Sequence, residues 1–430
     1  MDFAAASITG LAPDGGLYVP EELPRYSQSV LTSLAGMSYH DIAFETILPF
    51  VRDTMSARVL HDLIESAYTF AAPLVPVADR LVLELFHGPT AAFKDFGARF
   101  MARAFSYFRR GEDTVLHVLT ATSGDTGGAV AAGFYGVEGI DVTILYPKGR
   151  VTPLQEHQIA GLGGNISALA VEGSFDDCQT LVKAAFADEA LKKTTVLSSA
   201  NSINIARLIP QIVYYTAAAG KIAAGTIDPD GKATPRIKAP TARTRNVKTP
   251  ILCVPSGNFG DLTAGLYAQA MGAPIHSFIA ATNINKTVPD YLVSGTYQPR
   301  ASQTTISNAM DVGAPSNFER MIAHFSWEAL KERIQGASIS DDAAKRTIKE
   351  VHDEAGYFLD PHTAVGWAAV DQVLTNATVL ATAHPAKFSE TVAPLTGPIP
   401  VPESLTSALE RNIQSKTIKN DLSALRSSIR

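Results

Sequence analysis

The stretch His87-Gly88-Pro89-Thr90-Ala91-Ala92-Phe93-Lys94-Asp95-Phe96-Gly97 governs how the rest of the chain is read. It follows an apolar run, 81–86, that reads as a strand. It leads into a segment with Phe93, Phe96, Phe100, Met101, Ala104, Phe105 and Phe108 at helical spacing. One lysine therefore stands at a strand-to-helix junction among aromatic rings. Removal from water and the positive end of the helix dipole both disfavour an ammonium there. A neutral lysine amine is a nucleophile toward an aldehyde. A solvated lysine in a first helical turn would look the same in isolation, so the reading rests on what surrounds it.

Outward from this turn, strand and helix signals alternate. Strands are expected at 115–122, 141–146, 166–171, 195–198, 250–255, 275–281 and 378–382. Helices are expected over 175–193, about 318–335 and 341–355, and across Ile205, Leu208, Ile212 and Tyr215. Repeated strand–helix units predict an α/β fold with parallel sheets covered by helices. The chain has 430 residues and a formal net charge of −6, which suits two or three domains and gives no reason to expect nucleic acid. Cys178 and Cys253 lack metal-ligand spacing, so neither disulfides nor a zinc site are expected. No apolar run spans a membrane, and the acidic start predicts a cytoplasmic protein.

Two Gly-rich turns sit where a strand hands over to a helix. Ser256-Gly257-Asn258-Phe259-Gly260-Asp261 is made to cradle a phosphate, with backbone N–H groups at a helix N-terminus. Ser123-Gly124-Asp125-Thr126-Gly127 is a similar cup with more hydroxyl donors, suited to a carboxylate or a second phosphate. Neither fits the dinucleotide or P-loop fingerprints. A third cluster, Asn201-Ser202-Ile203-Asn204-Ile205-Ala206-Arg207, puts three amide or hydroxyl side chains and one arginine within a turn and a half. It can cap a helix, bind a dianion, or do both. Thr382-Ala383-His384-Pro385-Ala386-Lys387-Phe388 closes the last expected strand.

Together these segments resemble the threonine synthase family over nearly the whole chain. The resemblance is carried by Gly15-Gly16-Leu17-Tyr18-Val19-Pro20, the lysine turn, the 119–127 and 145–147 segments, Asn201 to Ile205, 255–265, Asn308-Ala309-Met310-Asp311-Val312, and Thr382 to Phe388. It implies two parallel-type α/β domains of the fold type II pyridoxal-phosphate kind. The cofactor would lie in the interdomain cleft, and a small N-terminal subdomain would precede them. The division expected is 1–76 for that subdomain and 77–215 for the lysine segment with the smaller domain. A surface insertion would cover 216–248, the larger cofactor domain 249–400, and a helical extension 401–430.

The resemblance assigns Lys94 to hold pyridoxal 5'-phosphate. The amides of Gly257, Asn258, Phe259 and Gly260 would take its phosphate, with Asp261 nearby, and Thr382 would face the ring nitrogen. Ser123, Asp125 and Thr126 would meet the substrate carboxylate or the ring hydroxyl. Asn201, Ser202, Asn204 and Arg207 would bind the phosphate of O-phospho-L-homoserine, which water and the enzyme turn into L-threonine. Asp125 stands where many relatives carry asparagine, and a carboxylate beside an anionic oxygen must share a proton or find a cation. No role follows for His362 or His384. The resemblance fits a monomer or a homodimer. A phospho-lyase or dehydratase of the same fold would keep Lys94 and the glycine loop. A dehydratase would have no use for Arg207. A cofactor-binding protein without turnover, or a nucleotide-dependent oxidoreductase, is the alternative from another class.

Overall fold

A computed structural model describes residues 1–226 and 249–429. Its strands are β1 (Leu74–Val77), β2 (Arg80–Glu84), β3 (Leu116–Ala121), β4 (Ile140–Pro147), β5 (Ile166–Glu172), β6 (Val196–Ser199), β7 (Ile251–Pro255), β8 (Ser277–Thr282), β9 (Ile334–Ser338), β10 (Thr378–Ala381) and β11 (Ser415–Lys419). They form two sheets. One has six strands in the order β1-β2-β10-β7-β8-β9, parallel apart from the β1–β2 hairpin. The other has five parallel strands in the order β11-β5-β4-β3-β6. Strand interiors such as Leu116–Ala121 are buried at every position, as sheets covered on both faces require.

The chain crosses between sheets more often than its sequence suggests. β2, which feeds the lysine turn, pairs with β10 in the six-stranded sheet, not with the strands that follow it at 116–199. Residues 216–223, expected in a surface insertion, instead complete the helix Ile212–Ala223, where Thr216 and Ala217 to Ala219 are buried. The rest of that expected insertion, 227–248, lies outside the described residues. The helix expected at 318–335 ends at His324. Ser326 caps a second helix, Trp327–Arg333, and the chain then enters β9. The 175–193 helix divides at Asp188, whose carboxylate accepts from the Ala190 and Leu191 amides. The C-terminal extension is not wholly helical, because Ser415–Lys419 adds β11 to the edge of the five-stranded sheet beside β5.

The first 67 residues hold the helices Phe3–Thr9, Gln28–Ser33, Tyr39–Val51 and Ala57–Ala67. They share one apolar core with the lysine helix, since Ile42, Ile47, Leu60 and Ile64 pack in the same cluster as Phe96, Phe100 and Tyr214. The Phe96 ring sits among Tyr39, Tyr68, Phe70 and Tyr214, with centroids 4.8 to 6.0 Å away. Two residues before Phe96 in the chain is the lysine. The N-terminal helices thus fix the helix on which Lys94 rides.

Candidate active site

Lys94 is the first residue of the helix Lys94–Phe108. The turn before it is held by short-range contacts its own residues dictate. Asp95 is fully buried and folds back to accept from the Thr90 amide (2.9 Å) and the Thr90 hydroxyl (2.6 Å). A Cβ on Gly88 would lie 2.4 Å from that carboxylate, so only glycine fits. The turn is also stitched to the end of β10. Phe93 N donates to the Thr382 carbonyl, His384 N donates to the Ala91 carbonyl, and Ala92 bridges Ala383. A Cβ on Gly97 would lie 2.6 Å from the Arg207 carbonyl oxygen, so this glycine lets the lysine helix lie against the Ile205–Leu208 turn.

These contacts bring the expected residues to one cleft of about 240 Å³, far more than the ~10–15 Å³ that houses a water. Lys94, Ser123, Asp125, Thr126, Asn201, Ser202, Arg207, Gly257, Asn258, Phe259, Gly260, Asp261 and Thr382 all line it. At its floor the helix Gly260–Met271 begins without a side-chain cap. Its first amides have no intrahelical acceptor, and the dipole adds partial positive charge. Phe259, just before it, has φ of 59°, a left-handed conformation that costs a non-glycine residue roughly 1 kcal/mol or more. Gly257 meets a separate demand, because a Cβ there would lie 2.5 Å from the Ala309 carbonyl oxygen.

The charged groups are tuned by burial. Lys94 is pushed below the ordinary lysine range, chiefly by loss of water, with Lys387 and Arg207 adding to the effect and Asp125 opposing it. Burial also raises Asp261, to about 6, although the Tyr214 and Tyr215 hydroxyls donate to its Oδ1 at 2.5 and 2.8 Å. Arg207, 1 % exposed, is lowered to about 10 by burial and stays cationic at neutral pH. Its Nη1 donates to the Ala200 carbonyl at 2.7 Å. Asp125 is depressed well below the usual carboxylate range. Burial works against ionisation there, but Lys387 and Lys94 outweigh it.

One expected ligand falls out of the site. Asn204 is fully buried, does not line the cleft, and has its side chain committed. Its Nδ2 donates to the Ser7 and Ser199 carbonyls, and its Oδ1 accepts from Ala206 N, so it caps the Ile205–Leu208 helix. The two histidines also have structural duties. His362 lines the cleft, but Nδ1 pairs with Asp360 and Nε2 accepts from Ala309 N, which fixes the 308–310 turn. His384 caps the turn Pro385–Phe388, and burial lowers it to about 4, leaving it neutral.

Other residues at the site were not singled out from sequence. Lys387, fully buried, donates to Asp125 Oδ1 at 2.8 Å, so the carboxylate that needed a cation has one. Gln155 Nε2 donates to the same oxygen at 3.0 Å. Arg320, also fully buried, donates to the Ser202 and Ile203 carbonyls and to the Tyr18 carbonyl, holding the Asn201–Ser202 turn in place. Lys183, on the helix Phe175–Ala187, stands at the cleft wall.

The donor set fits a pyridoxal phosphate. The uncapped helix end matches a phosphate, and the partly buried Lys94 amine matches an aldehyde. Asn201 Oδ1, Arg207 Nε and Asp261 Oδ2 are buried atoms of cleft-lining residues without a hydrogen-bond partner, as a site shaped for a polar guest would leave them.

Comparison with known proteins gives concordant matches. Residues 79–384 match the family model described as pyridoxal-phosphate dependent enzyme, 1–68 match threonine synthase N terminus, and 363–429 match threonine synthase, C-terminal. The chain is 41% identical to threonine synthase of Escherichia coli over 99% of its own length and 96% of that protein's. The crystal structure titled threonine synthase from Escherichia coli superposes with a TM-score of 0.88 at 40% identity, covering 99% of this chain and 96% of that one. PLP-bound threonine synthase from Brucella melitensis gives 0.87 at 35% identity, covering 100% of this chain and 96% of that one. Maize serine racemase, at 15% identity and a TM-score of 0.54, shares the fold alone.

Proposed function

The chain belongs to the threonine synthase family of pyridoxal-phosphate-dependent enzymes, and from that premise we propose which of its residues carry the reaction. It is a lyase of threonine biosynthesis, converting O-phospho-L-homoserine and water into L-threonine and phosphate. Bound pyridoxal phosphate supplies an electron sink that makes protons beside the amino-bearing carbon removable.

Lys94 would hold the cofactor through its amine, and with substrate bound that amine would take the Cα proton as general base, a role typically worth ~10²–10⁴-fold. The desolvated setting of Lys94 supports this, because an amine below its ordinary pKa is ready to accept a proton. The amides of Gly257 to Gly260, at the uncapped helix end, would hold the cofactor phosphate, and the Thr382 hydroxyl would serve the ring nitrogen. Ser123 and Thr126 take the substrate carboxylate. Arg207, with Asn201 and Ser202, holds the phosphate that departs from Cγ. Its permanent charge suits both the ester dianion and the released product. The phosphate pocket must keep stray water away until water is added at Cβ.

One observation carries this assignment: a partly buried amine, an uncapped helix N-terminus and a buried guanidinium converge on one cleft. Arg207 also favours the phosphate-bearing substrate over the plain amino acid of a dehydratase. The enzyme works in the cytoplasm, a reading supported by two buried free cysteines, as a monomer or homodimer. Lys94→Ala is expected to lose phosphate release from O-phosphohomoserine and the visible absorbance of the bound cofactor. Turnover retained in that variant would overturn the assignment.

A further inference from the structure

Lys387 is a buried ammonium that the reaction as assigned does not use. It lies in the turn Pro385–Phe388 after β10, so it comes from the six-stranded half of the molecule, is fully buried and does not line the cleft. Asp125 opens the helix Asp125–Phe134 that follows β3 in the five-stranded half. The two oxygens of Asp125 are divided between them. Oδ1 takes Lys387 Nζ at 2.8 Å and Gln155 Nε2 at 3.0 Å, while Oδ2 faces Lys94 Nζ at 3.5 Å. Lys387 Nζ also donates to the Thr90 carbonyl at 2.9 Å, in the turn that delivers Lys94.

We propose that Lys387 is a positioning residue for Lys94. Its ammonium compensates Asp125 from the side away from the cleft, so that the carboxylate orients the Lys94 amine without fixing a proton on it. The proposal rests on the reading of Lys94 as the cofactor lysine. Its physical basis is charge counting in a dry site. A carboxylate with only Lys94 beside it would draw its compensation from that amine, and a protonated amine cannot attack an aldehyde. With Lys387 in place the carboxylate is already neutralised at closer range. The other charged groups about the site do not duplicate this. Arg207 adds a second positive field at Lys94, Asp261 is held by two tyrosine hydroxyls, His362 is committed to Asp360, and Asp95 to Thr90. The arrangement also explains how this chain carries aspartate in the Ser123-Gly124-Asp125-Thr126 turn, since the partner that makes the charge tolerable comes from a segment 262 residues later.

The test is the pH dependence of cofactor capture, not turnover. Apoenzyme is mixed with pyridoxal phosphate and the growth of visible absorbance is timed from pH 6 to 10. An opposite charge at this range typically moves a pKa by about 1–3 units. Lys387→Met should therefore raise the midpoint for capture by about one unit or more, slowing capture at neutral pH about tenfold per unit. Lys387→Arg should return it toward the wild-type value. Asp125→Asn should lower the midpoint, and the double variant Asp125→Asn/Lys387→Met should restore it to near wild type, because both charges are gone. A purely structural role for the pair would instead give unchanged midpoints, which overturns the proposal. Should Lys387→Met not fold, Asp125→Asn against the double variant still decides, since equal midpoints contradict it. Lys94→Ala in the same assay separates the two readings. Capture by that variant at the wild-type rate would refute Lys94 itself, whereas no capture combined with invariant midpoints would refute only the role of Lys387.

Discussion

Replacing Arg207 by alanine should separate substrate binding from cofactor binding. The guanidinium is 1 % exposed, spends Nη1 on the Ala200 carbonyl, and leaves its buried Nε without a partner, while the residue lines the cleft. Each charge-assisted hydrogen bond lost to a phosphate costs about 1.5–3 kcal/mol. One or two such bonds make a loss of about 1.5–6 kcal/mol, or about 10- to 20,000-fold in kcat/KM for O-phosphohomoserine at ~1.4 kcal/mol per decade. The proposed cofactor-phosphate site is on a different element, the N-terminus of the helix Gly260–Met271, so cofactor affinity should change by less than about threefold. Stability should fall only modestly, because losing the hydrogen bond to Ala200 is offset by removing a desolvated charge. Arg207→Lys should lie between, keeping the charge but not the planar fork. The assay is phosphate release under steady state, with cofactor affinity from a visible titration. A kcat/KM within threefold of wild type would refute the phosphate pocket.

Gly97→Ala drives a Cβ toward the Arg207 carbonyl, 2.6 Å away, and backbone cannot swing aside. It should cost about 1–3 kcal/mol in thermal unfolding and lower kcat, since it moves the lysine helix from the Arg207 turn. Asn204→Ala should lower Tm by removing three buried hydrogen bonds while leaving KM for substrate near wild type; a large KM rise would reinstate Asn204 as a ligand. Asp261, at about 6 when folded against 3.8 as the ordinary value, binds more protons folded than unfolded between those limits. Apoenzyme stability should therefore fall as pH rises from about 4 to 6, by of order 1–3 kcal/mol from this group. Asp261→Asn should flatten that slope in pH-resolved melting; an unchanged slope would contradict the burial argument.

The parts legible in the sequence were those written in local pattern. The lysine turn declares itself because Gly88, Asp95 and Gly97 each answer a contact within a few residues or against one neighbouring turn. The parallel strands declare themselves as continuous apolar runs. β11 did not, because only Ile418 of Ser415–Lys419 is buried, and an edge strand that carries Lys416 and Lys419 shows no apolar alternation. β9, also at a sheet edge, goes unread in the sequence, and its first two residues, Ile334 and Gln335, fall within the helix expected at about 318–335. Asn204 read as a ligand because capping and anion binding call for the same side chains, and only its committed amide distinguishes them. Lys387 pairs with a residue distant in sequence. Its signal was the need of Asp125 for a cation, which sequence stated without saying where that cation lay.

The most direct test of the account is borohydride reduction of the holoenzyme followed by peptide mapping. The reduced cofactor should be found on the peptide that contains Lys94, and on none other. A label on a different lysine, or on no peptide, would contradict the account at its root.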